Sequence, residues 1–147
     1  MAQTDNYYSW CAAVVKISTN CSDYTDISGW ANTVTVSGGA RMHGSAYTFD
    51  GDTPANGFGP REPLEVTIRC VYDEETAGTP FDDILASYET DCGGEFCIQW
   101  QPRGAGGETY TTVNSKIISH PYASGAKDDA TPIMFETTVL AESITHA

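Results

Sequence analysis

One stretch of the chain constrains its fold more than any other: the strict alternation of side chains over residues 64–72. Its apolar positions are Leu64, Val66, Ile68, Cys70 and Tyr72. The positions between them are Glu65, Thr67, Arg69 and Val71. A period of two is typical of a β-strand with one face turned to a core. The sequence therefore predicts a sheet that is covered on one face at this point.

Strand signals also dominate the rest of the chain. Apolar, β-branched or alternating runs predict further strands at 11–18, 33–37, 40–49, 96–101, 109–120 and 133–144. Together they indicate one mainly β domain over residues 1–147, built as a curved β-sandwich or barrel-like sheet. The predicted core residues are Leu64, Val66, Ile68, Phe81, Ile84, Leu85, Phe96, Ile98, Phe135 and Val139.

A single helix is predicted to flank the sheet at about residues 80–90. Thr79 can act as its N-cap by accepting a free backbone N–H, and Pro80 suits the first helical position. Asp82 and Asp83 lie near the positive end of the helix dipole. The apolar stripe consists of Phe81, Ile84, Leu85 and Tyr88. This spacing predicts a helix that packs one face on the sheet.

Residues 40–63 are expected to form a long β–loop–β arm. Segment 40–49 has the character of a strand, whereas segment 50–63 contains three prolines and three glycines and is interpreted as a loop. A second long loop is predicted at 122–131. Long loops inside compact domains usually carry function or contact partners. The arm is therefore expected to reach beyond its own domain.

Charge limits the classes of partner. Twenty acidic residues face seven basic ones, for a net charge of −13. Nucleic-acid binding by phosphate neutralisation needs clustered Lys and Arg, so this composition speaks against it. The same charge also serves solubility. No run approaches the roughly 20 apolar residues of a membrane span, and the first ten residues lack the features of a signal peptide. We expect the chain to fold in the cytoplasm of its producer.

The five cysteines are odd in number and form no metal-binding motif. One interpretation is that all are reduced and act as small apolar residues. Two alternatives are a Cys92–Cys97 bridge across a glycine turn and a Cys11–Cys21 bridge across a hairpin. Cys70 lies on the apolar face of segment 64–72 and is expected to be buried and free.

No catalytic motif is visible. A G-x-S-x-G nucleophile elbow does not occur, and the histidines, His43, His120 and His146, each stand alone. The Asp50-Gly51-Asp52 run lacks the later glutamate of a calcium loop. The glycine-rich run 104–107 lacks the Lys-Ser/Thr pair of a phosphate loop. The sequence therefore predicts no catalytic, cofactor or metal site, and it indicates a structural or assembly protein rather than an enzyme.

The order of elements and several local segments resemble the major tail (tail tube) proteins of long-tailed phages. The resembling segments are 26–29 (DISG), 33–37 (TVTVS), 66–73 (VTIRCVYD), 80–85 (PFDDIL), 96–104 (FCIQWQPRG) and 135–139 (FETTV). The resemblance covers most of residues 11–145, and type VI secretion tube proteins share the fold. It implies a virion subunit that assembles in the host cytoplasm. Such subunits form stacked, hexameric rings around a hollow tube, together with other tail proteins, and double-stranded DNA passes through without specific binding.

The sequence also predicts where subunits would meet. The length and the Pro/Gly content of the arm predict that it reaches onto a neighbouring subunit in the adjacent ring. The N-terminal arm (residues 1–10) is expected to bury aromatic side chains against a neighbour, because aromatic residues are enriched in interface cores. The expected contact residues are Tyr7, Tyr8, Trp10, Arg41, Met42, His43, Tyr47, Phe49, Phe58 and Arg61. Transit of DNA favours an acidic wall that repels phosphates. Glu65 and Glu136 are the predicted lumen-facing residues, since both alternate with apolar neighbours.

The sequence is also consistent with two other functions. One is that of another virion assembly protein, namely a tail terminator, connector or decoration protein. A β-sandwich carbohydrate-binding module is the alternative from a different class, with Trp30 and Trp100 stacking on sugars. The two classes differ in solution mass, because a binding module stays monomeric whereas a tube subunit assembles.

Overall fold

A computed structural model describes Thr4 and residues 7–74, 79–90 and 92–147. A short 3-10 helix spans Trp10–Ala12, and one α-helix, α1, spans Pro80–Glu89. The strands before α1 are β1 (Val14–Ser18), β2 (Thr25–Asp26), β3 (Ala31–Gly38), β4 (Arg41–Ala46), β5 (Ala55–Arg61) and β6 (Leu64–Val71). Those after it are β7 (Cys97–Gln101), β8 (Tyr110–Val113), β9 (Lys116–Ile117), β10 (Met134–Ala141) and β11 (Ser143–His146).

Two antiparallel sheets enclose the core. Sheet A has the strand order β11-β8-β7-β1-β2, and sheet B has the order β3-β6-β10-β9. The buried core cluster draws on both sheets and on α1, which makes the fold the mainly β sandwich expected from the sequence. Its fully or almost fully buried members include Ile17, Val66, Ile68, Ile84, Phe96, Ile98, Phe135 and Val139. Strands β4 and β5 form a separate two-stranded sheet outside this core.

Strand β6 is the centre of sheet B, as its alternation predicts. Val66, Ile68 and Cys70 are completely buried, whereas Glu65 and Arg69 on the other face are exposed. β6 pairs on one side with β3 and on the other with β10 over its full length. Of the ten predicted core residues, Leu64, Phe81 and Leu85 are only half-buried, and of these Phe81 packs against the buried cluster.

Helix α1 lies where it was predicted. Pro80 and Ile84 are buried, and the Phe81 ring meets Tyr72 and Phe135 edge-on, at centroid distances of 4.9 and 5.3 Å. Thr79 stands at the N-cap but makes no side-chain capping bond, and its hydroxyl is buried without a partner. Thr79 therefore occupies the predicted N-cap position without making the predicted capping hydrogen bond. Within the described residues, no helix is long and apolar enough to cross a membrane.

Two strands predicted as continuous are each divided between the sheets. Segment 109–120 becomes β8 in sheet A and β9 in sheet B, separated at Asn114, whose φ of 49° ends the extended run. Segment 133–144 becomes β10 in sheet B and β11 in sheet A, separated at Glu142. The prediction at 11–18 is also too long, because its first residues belong to the 3-10 helix.

The predicted arm exists as a β-ribbon, but its second half is a strand and not a loop. β4 and β5 pair from Arg41–Arg61 to Ala46–Ala55, so that the loop shrinks to residues 47–54. The glycines and Pro60 were misleading, because an edge strand can tolerate Pro. Between the pairs Arg41–Arg61 and His43–Phe58, β5 contains one residue more than β4, and this bulge accommodates Pro60.

The arm continues the β3–β6 ladder through a glycine kink. Gly38 has a φ of 78°, and any side chain at this position would meet the Pro63 carbonyl. Beyond the kink, the Gly39 N–H donates to the Pro63 carbonyl at 3.2 Å, and the Glu62 N–H donates to the Ala40 carbonyl at 2.8 Å. The hydrogen-bonded ribbon therefore runs on from sheet B into the arm.

The cysteine pairing differs from both predicted bridges. Cys21 and Cys97 form a disulfide across 76 residues, with their Cα atoms 5.1 Å apart. It ties the turn after β1 to the start of β7, whose Cys97 pairs with Ser18 in the ladder. Cys11 and Cys92 are free and exposed, whereas Cys70 is free and buried, as predicted.

Candidate assembly surface

The polar residues tested for chemistry do not converge. His43 lies on β4, His120 stacks on Tyr122 with centroids 5.4 Å apart, and His146 lies on β11 beside Glu108. The run 104–107 is a turn in which Gly104 approaches the Ala12 carbonyl. Among the described residues, no three metal-binding side chains group together. The remaining candidates for a functional site are therefore exposed surfaces.

The β4–β5 arm is the most exposed of these surfaces. All six residues of β4 and six of the seven in β5 are exposed, and none belongs to the core cluster. The arm carries Tyr47 at 69% exposure and Phe58 at 75%, together with the fully exposed Phe49 at the loop. An isolated two-stranded hairpin is at best marginally stable in water. Clustered exposed aromatic side chains are typical of interaction surfaces.

The arm has two chemically different faces. Directly opposed residues of an antiparallel pair share a face, so Arg41 and Arg61 lie together, followed by His43 beside Phe58. Met42 lies on the other face. All seven contact residues that the sequence predicted on the arm are therefore exposed, and they are split between these faces and the loop.

The N-terminal aromatic residues are also exposed. Tyr7, Tyr8 and Trp10 have exposed side chains, and the Arg103 guanidinium lies over the Tyr8 ring at 4.8 Å. Residues 1–3, 5 and 6 of the predicted N-terminal arm lie outside the described residues. Trp10 and Val34 line one groove of about 380 Å³ beside β3.

Strand β3 offers an open edge along this groove. Among the described strands it pairs only with β6, which leaves its other edge without a ladder. Its eight residues, ANTVTVSG, contain no charge and no proline, the features that commonly protect an edge from pairing with another chain. The sequence predicted this strand but not its position at an edge, because pairing partners are not encoded in local pattern.

The outer face of sheet B carries both carboxylates predicted to face a lumen. Glu65 and Glu136 are exposed on the side away from the core, as their alternation indicated. The Arg69 Nε lies 3.6 Å from a Glu136 carboxylate oxygen, and Lys116 is opposite Leu140 on the same face. Two cations therefore balance two carboxylates on these strands.

The nearby loop adds one more charge to this face. Hydrogen bonds from Thr131 lower the pKa of Asp129, and Arg69 lowers it further. Asp129 and Glu136 line the same cavity of about 850 Å³, between this loop and sheet B. Asp129 thus makes the net charge of this region negative.

Comparison with known proteins identifies the fold. No protein-family profile matches the sequence, and no curated protein matches it. A chain of the PVC sheath/tube terminator in extended state, from an extracellular contractile injection system, is 15% identical, with a TM-score of 0.67 over 99% of both chains. A chain of the PVC sheath–tube complex in extended state is 14% identical, with a TM-score of 0.66 over 97% of this chain and 93% of that one.

A third likeness comes from the anti-feeding prophage. A chain of its tube-terminating cap is 11% identical, with a TM-score of 0.65 over 100% of this chain and 95% of that one. The chain therefore has a tail-tube-like fold, found in structures of contractile injection systems. At these identities the likeness establishes the fold alone.

Proposed function

We propose that the chain is a structural subunit of a phage-type tail tube. In this proposal, copies of the chain form stacked hexameric rings around a hollow tube, in contact with other tail proteins. The observation that carries it is the exposed β4–β5 arm, whose aromatic side chains have no cover within the described chain. The full-length fold likeness to chains of tube-containing assemblies supports this kind of subunit over other β-sandwich proteins.

Ring closure under this proposal uses a head-to-tail contact. Among the described strands, β3 pairs only with β6, and we infer that its open edge meets a different element of the next copy. Such heterologous contacts close into rings when the rotation between copies permits it. Trp10 lies near this edge, since it lines a groove together with residues of β3.

A lumen formed by sheet B would present Glu65 and Glu136 to the channel. Duplex DNA carries one negative charge per roughly 1.7 Å, and basic linings hold it by counterion release. We propose that the carboxylates offset Arg69 and Lys116, so that the wall does not retain DNA. Assembled Glu65→Lys/Glu136→Lys protein should retain duplex DNA at low salt, whereas the wild type should not. Equal retention by both would contradict this lumen assignment.

The proposed location is the virion tail, assembled in the host cytoplasm. Disulfides are rare in the reducing cytoplasm. The Cys21–Cys97 bond would therefore form after the particle leaves the cell.

Sedimentation velocity over a concentration series tests the proposed function. A tube subunit should give species that grow without limit, because each ring offers a face to the next. A tail terminator, which the likeness to a chain of the PVC terminator structure also favours, should stop at one ring. A carbohydrate-binding module should remain monomeric.

The two tryptophans predicted to stack on sugars argue against a carbohydrate-binding module. Trp100 is buried, and Trp30 is half-buried with its Nε1–H donated to Asp73.

A further inference from the structure

Two arginines face each other on the arm with no acidic partner. Arg41 and Arg61 are directly opposed across β4 and β5, an arrangement of like charges that is unfavourable by itself. The Arg41 Nη1 donates to the Gly59 carbonyl at 3.1 Å, which turns this guanidinium along the strand. Within the described residues, no carboxylate lies within 4.0 Å of either one.

This pair is exceptional in a chain with so few cations. Arg41 and Arg61 are the only Lys or Arg residues between Lys16 and Arg69, in a chain with a net charge of −13. His43 extends the same face, and the pairs that make up this face contain no carboxylate. We call it the cationic arm face. Two adjacent uncompensated charges on an exposed ribbon fit an anionic surface that lies outside the chain itself.

An acidic cluster of the same chain lies near the start of α1. Segment 70–102 contains eight acidic residues and no Lys or Arg. The Tyr72 hydroxyl donates to Glu74 at 2.6 Å, and both Glu74 and Asp82 raise the pKa of Tyr72, which places these carboxylates around one ring. Asp83 adjoins them in the first turn of α1. We call Glu74, Asp82 and Asp83 the α1 acidic patch.

The patch also lacks internal compensation. Among the described residues, no cation lies within 4.0 Å of its three carboxylates. Burial raises the pKa of Asp83, and the charge of Asp82 raises it further. Each surface thus holds like charges close together. Contact between the two surfaces would offset the repulsion within each of them.

We propose that the cationic arm face of one copy docks on the α1 acidic patch of a second copy. The inference rests on the proposed function, since it names the surface that receives the arm when copies assemble. In a single chain the two surfaces form no ion pair, so the contact joins different copies. Charge complementarity would set the register of the arm on the second copy. The aromatic side chains of the arm would then be covered by the surface of that copy next to the α1 acidic patch.

A charge-swap experiment tests the docking. The full-length variant Arg61→Glu should need at least about a tenfold higher protein concentration to assemble, because like charges would then meet at each contact. Lys127→Glu changes the net charge by the same amount on an exposed loop and should assemble as the wild type does. The double variant Arg61→Glu/Asp82→Arg restores an opposite-charge pair between the arm and the patch and should recover at least part of the lost assembly. Assembly is measured by sedimentation velocity, and circular dichroism confirms that each variant is folded.

The outcomes separate this inference from the proposed function. If the wild type assembles and Arg61→Glu assembles equally well, the docking is wrong while the tube proposal stands. If Arg61→Glu is impaired and Asp82→Arg does not restore it, the α1 acidic patch is not the receiving surface. If, against expectation, the wild type retains duplex DNA and Arg61→Glu assembles normally but does not retain it, the arginines bind phosphate and the docking is wrong. A wild type that stays monomeric at every concentration would overturn the proposed function, and this inference with it.

Discussion

The side-chain amide of Asn114 donates a 2.6 Å hydrogen bond to the Glu142 carboxylate. Asn114 separates β8 from β9, and Glu142 separates β10 from β11. The Glu142 N–H also donates to the Val113 carbonyl at 3.1 Å. The two residues thus fasten the corner at which both segments cross between the sheets.

This corner predicts a specific loss of stability. Asn114 has a φ of 49°, a region that Asn tolerates better than residues such as Ala. Asn114→Ala should lower the free energy of unfolding by about 1–2 kcal/mol, measured by urea denaturation. Asn114→Gly should lose less, because it keeps the backbone conformation. An Asn114→Ala variant as stable as the wild type would contradict this role.

The same corner shows where sequence reasoning stops. The alternation of β6 and the stripe of α1 are local signals, and both elements lie where they were predicted. Asn114 and Glu142 interrupt runs that remain β-like on both sides, so nothing local reveals that the chain changes sheets. The β5 strand was missed because an edge ribbon tolerates Gly and Pro.

The pairing of cysteines that are distant in sequence could not be predicted from the sequence either. Five cysteines permit many connectivities, and spacing alone favoured partners that were close in sequence. Cys21 and Cys97 meet only because β1 and β7 are neighbours in sheet A. For the assembly surface, the aromatic and arginine residues of the arm could be named in advance. Their arrangement into faces required the β4–β5 register.

The Cys21–Cys97 bond should stabilise the fold by restricting the unfolded chain. Its two cysteines are 76 residues apart in sequence, and the chain-entropy estimate for a loop of that length is roughly 4.5 kcal/mol. Cys21→Ser/Cys97→Ser should therefore unfold at clearly lower denaturant concentration than the oxidised wild type. Cys11→Ser and Cys92→Ser, at free and exposed positions, serve as controls and should change little. No difference between the oxidised and the double-serine proteins would refute the bond's role.

Burial of Cys70 predicts a loss of stability at alkaline pH. Burial raises the pKa of this thiol from 9.0 to about 12. The folded state keeps its proton where the unfolded state loses it, so the contribution is fully present below pH 9 and falls as pH rises toward 12. The slope from this group is about 1.4 kcal/mol per pH unit at most. Cys70→Val should remove that slope, and an unchanged pH dependence would contradict the assignment.

Native thiol labelling gives an independent check of the same residue. At pH 8, Cys11 and Cys92 should react with a thiol reagent, whereas Cys70 should react only after denaturation. Three reactive thiols in the folded, oxidised protein would show that Cys70 is accessible.

The aromatic residues of the arm should matter for assembly and not for folding. Phe49→Ser/Phe58→Ser removes two exposed side chains, so the free energy of unfolding of the monomer should change by less than about 0.5 kcal/mol. Light scattering should show that assembly is strongly weakened. Ile133→Ser, an exposed apolar position outside the arm, is the matched control. Normal assembly of the double variant would remove the arm from the interface.

Cryo-electron microscopy of the purified, concentrated protein tests the central claim most directly. The account predicts stacked rings with sixfold symmetry around an open channel, in which the β4–β5 arm of each copy lies on a neighbour and sheet B lines the lumen. Monomers alone at all concentrations, or assemblies in which the arm remains uncovered, would contradict it.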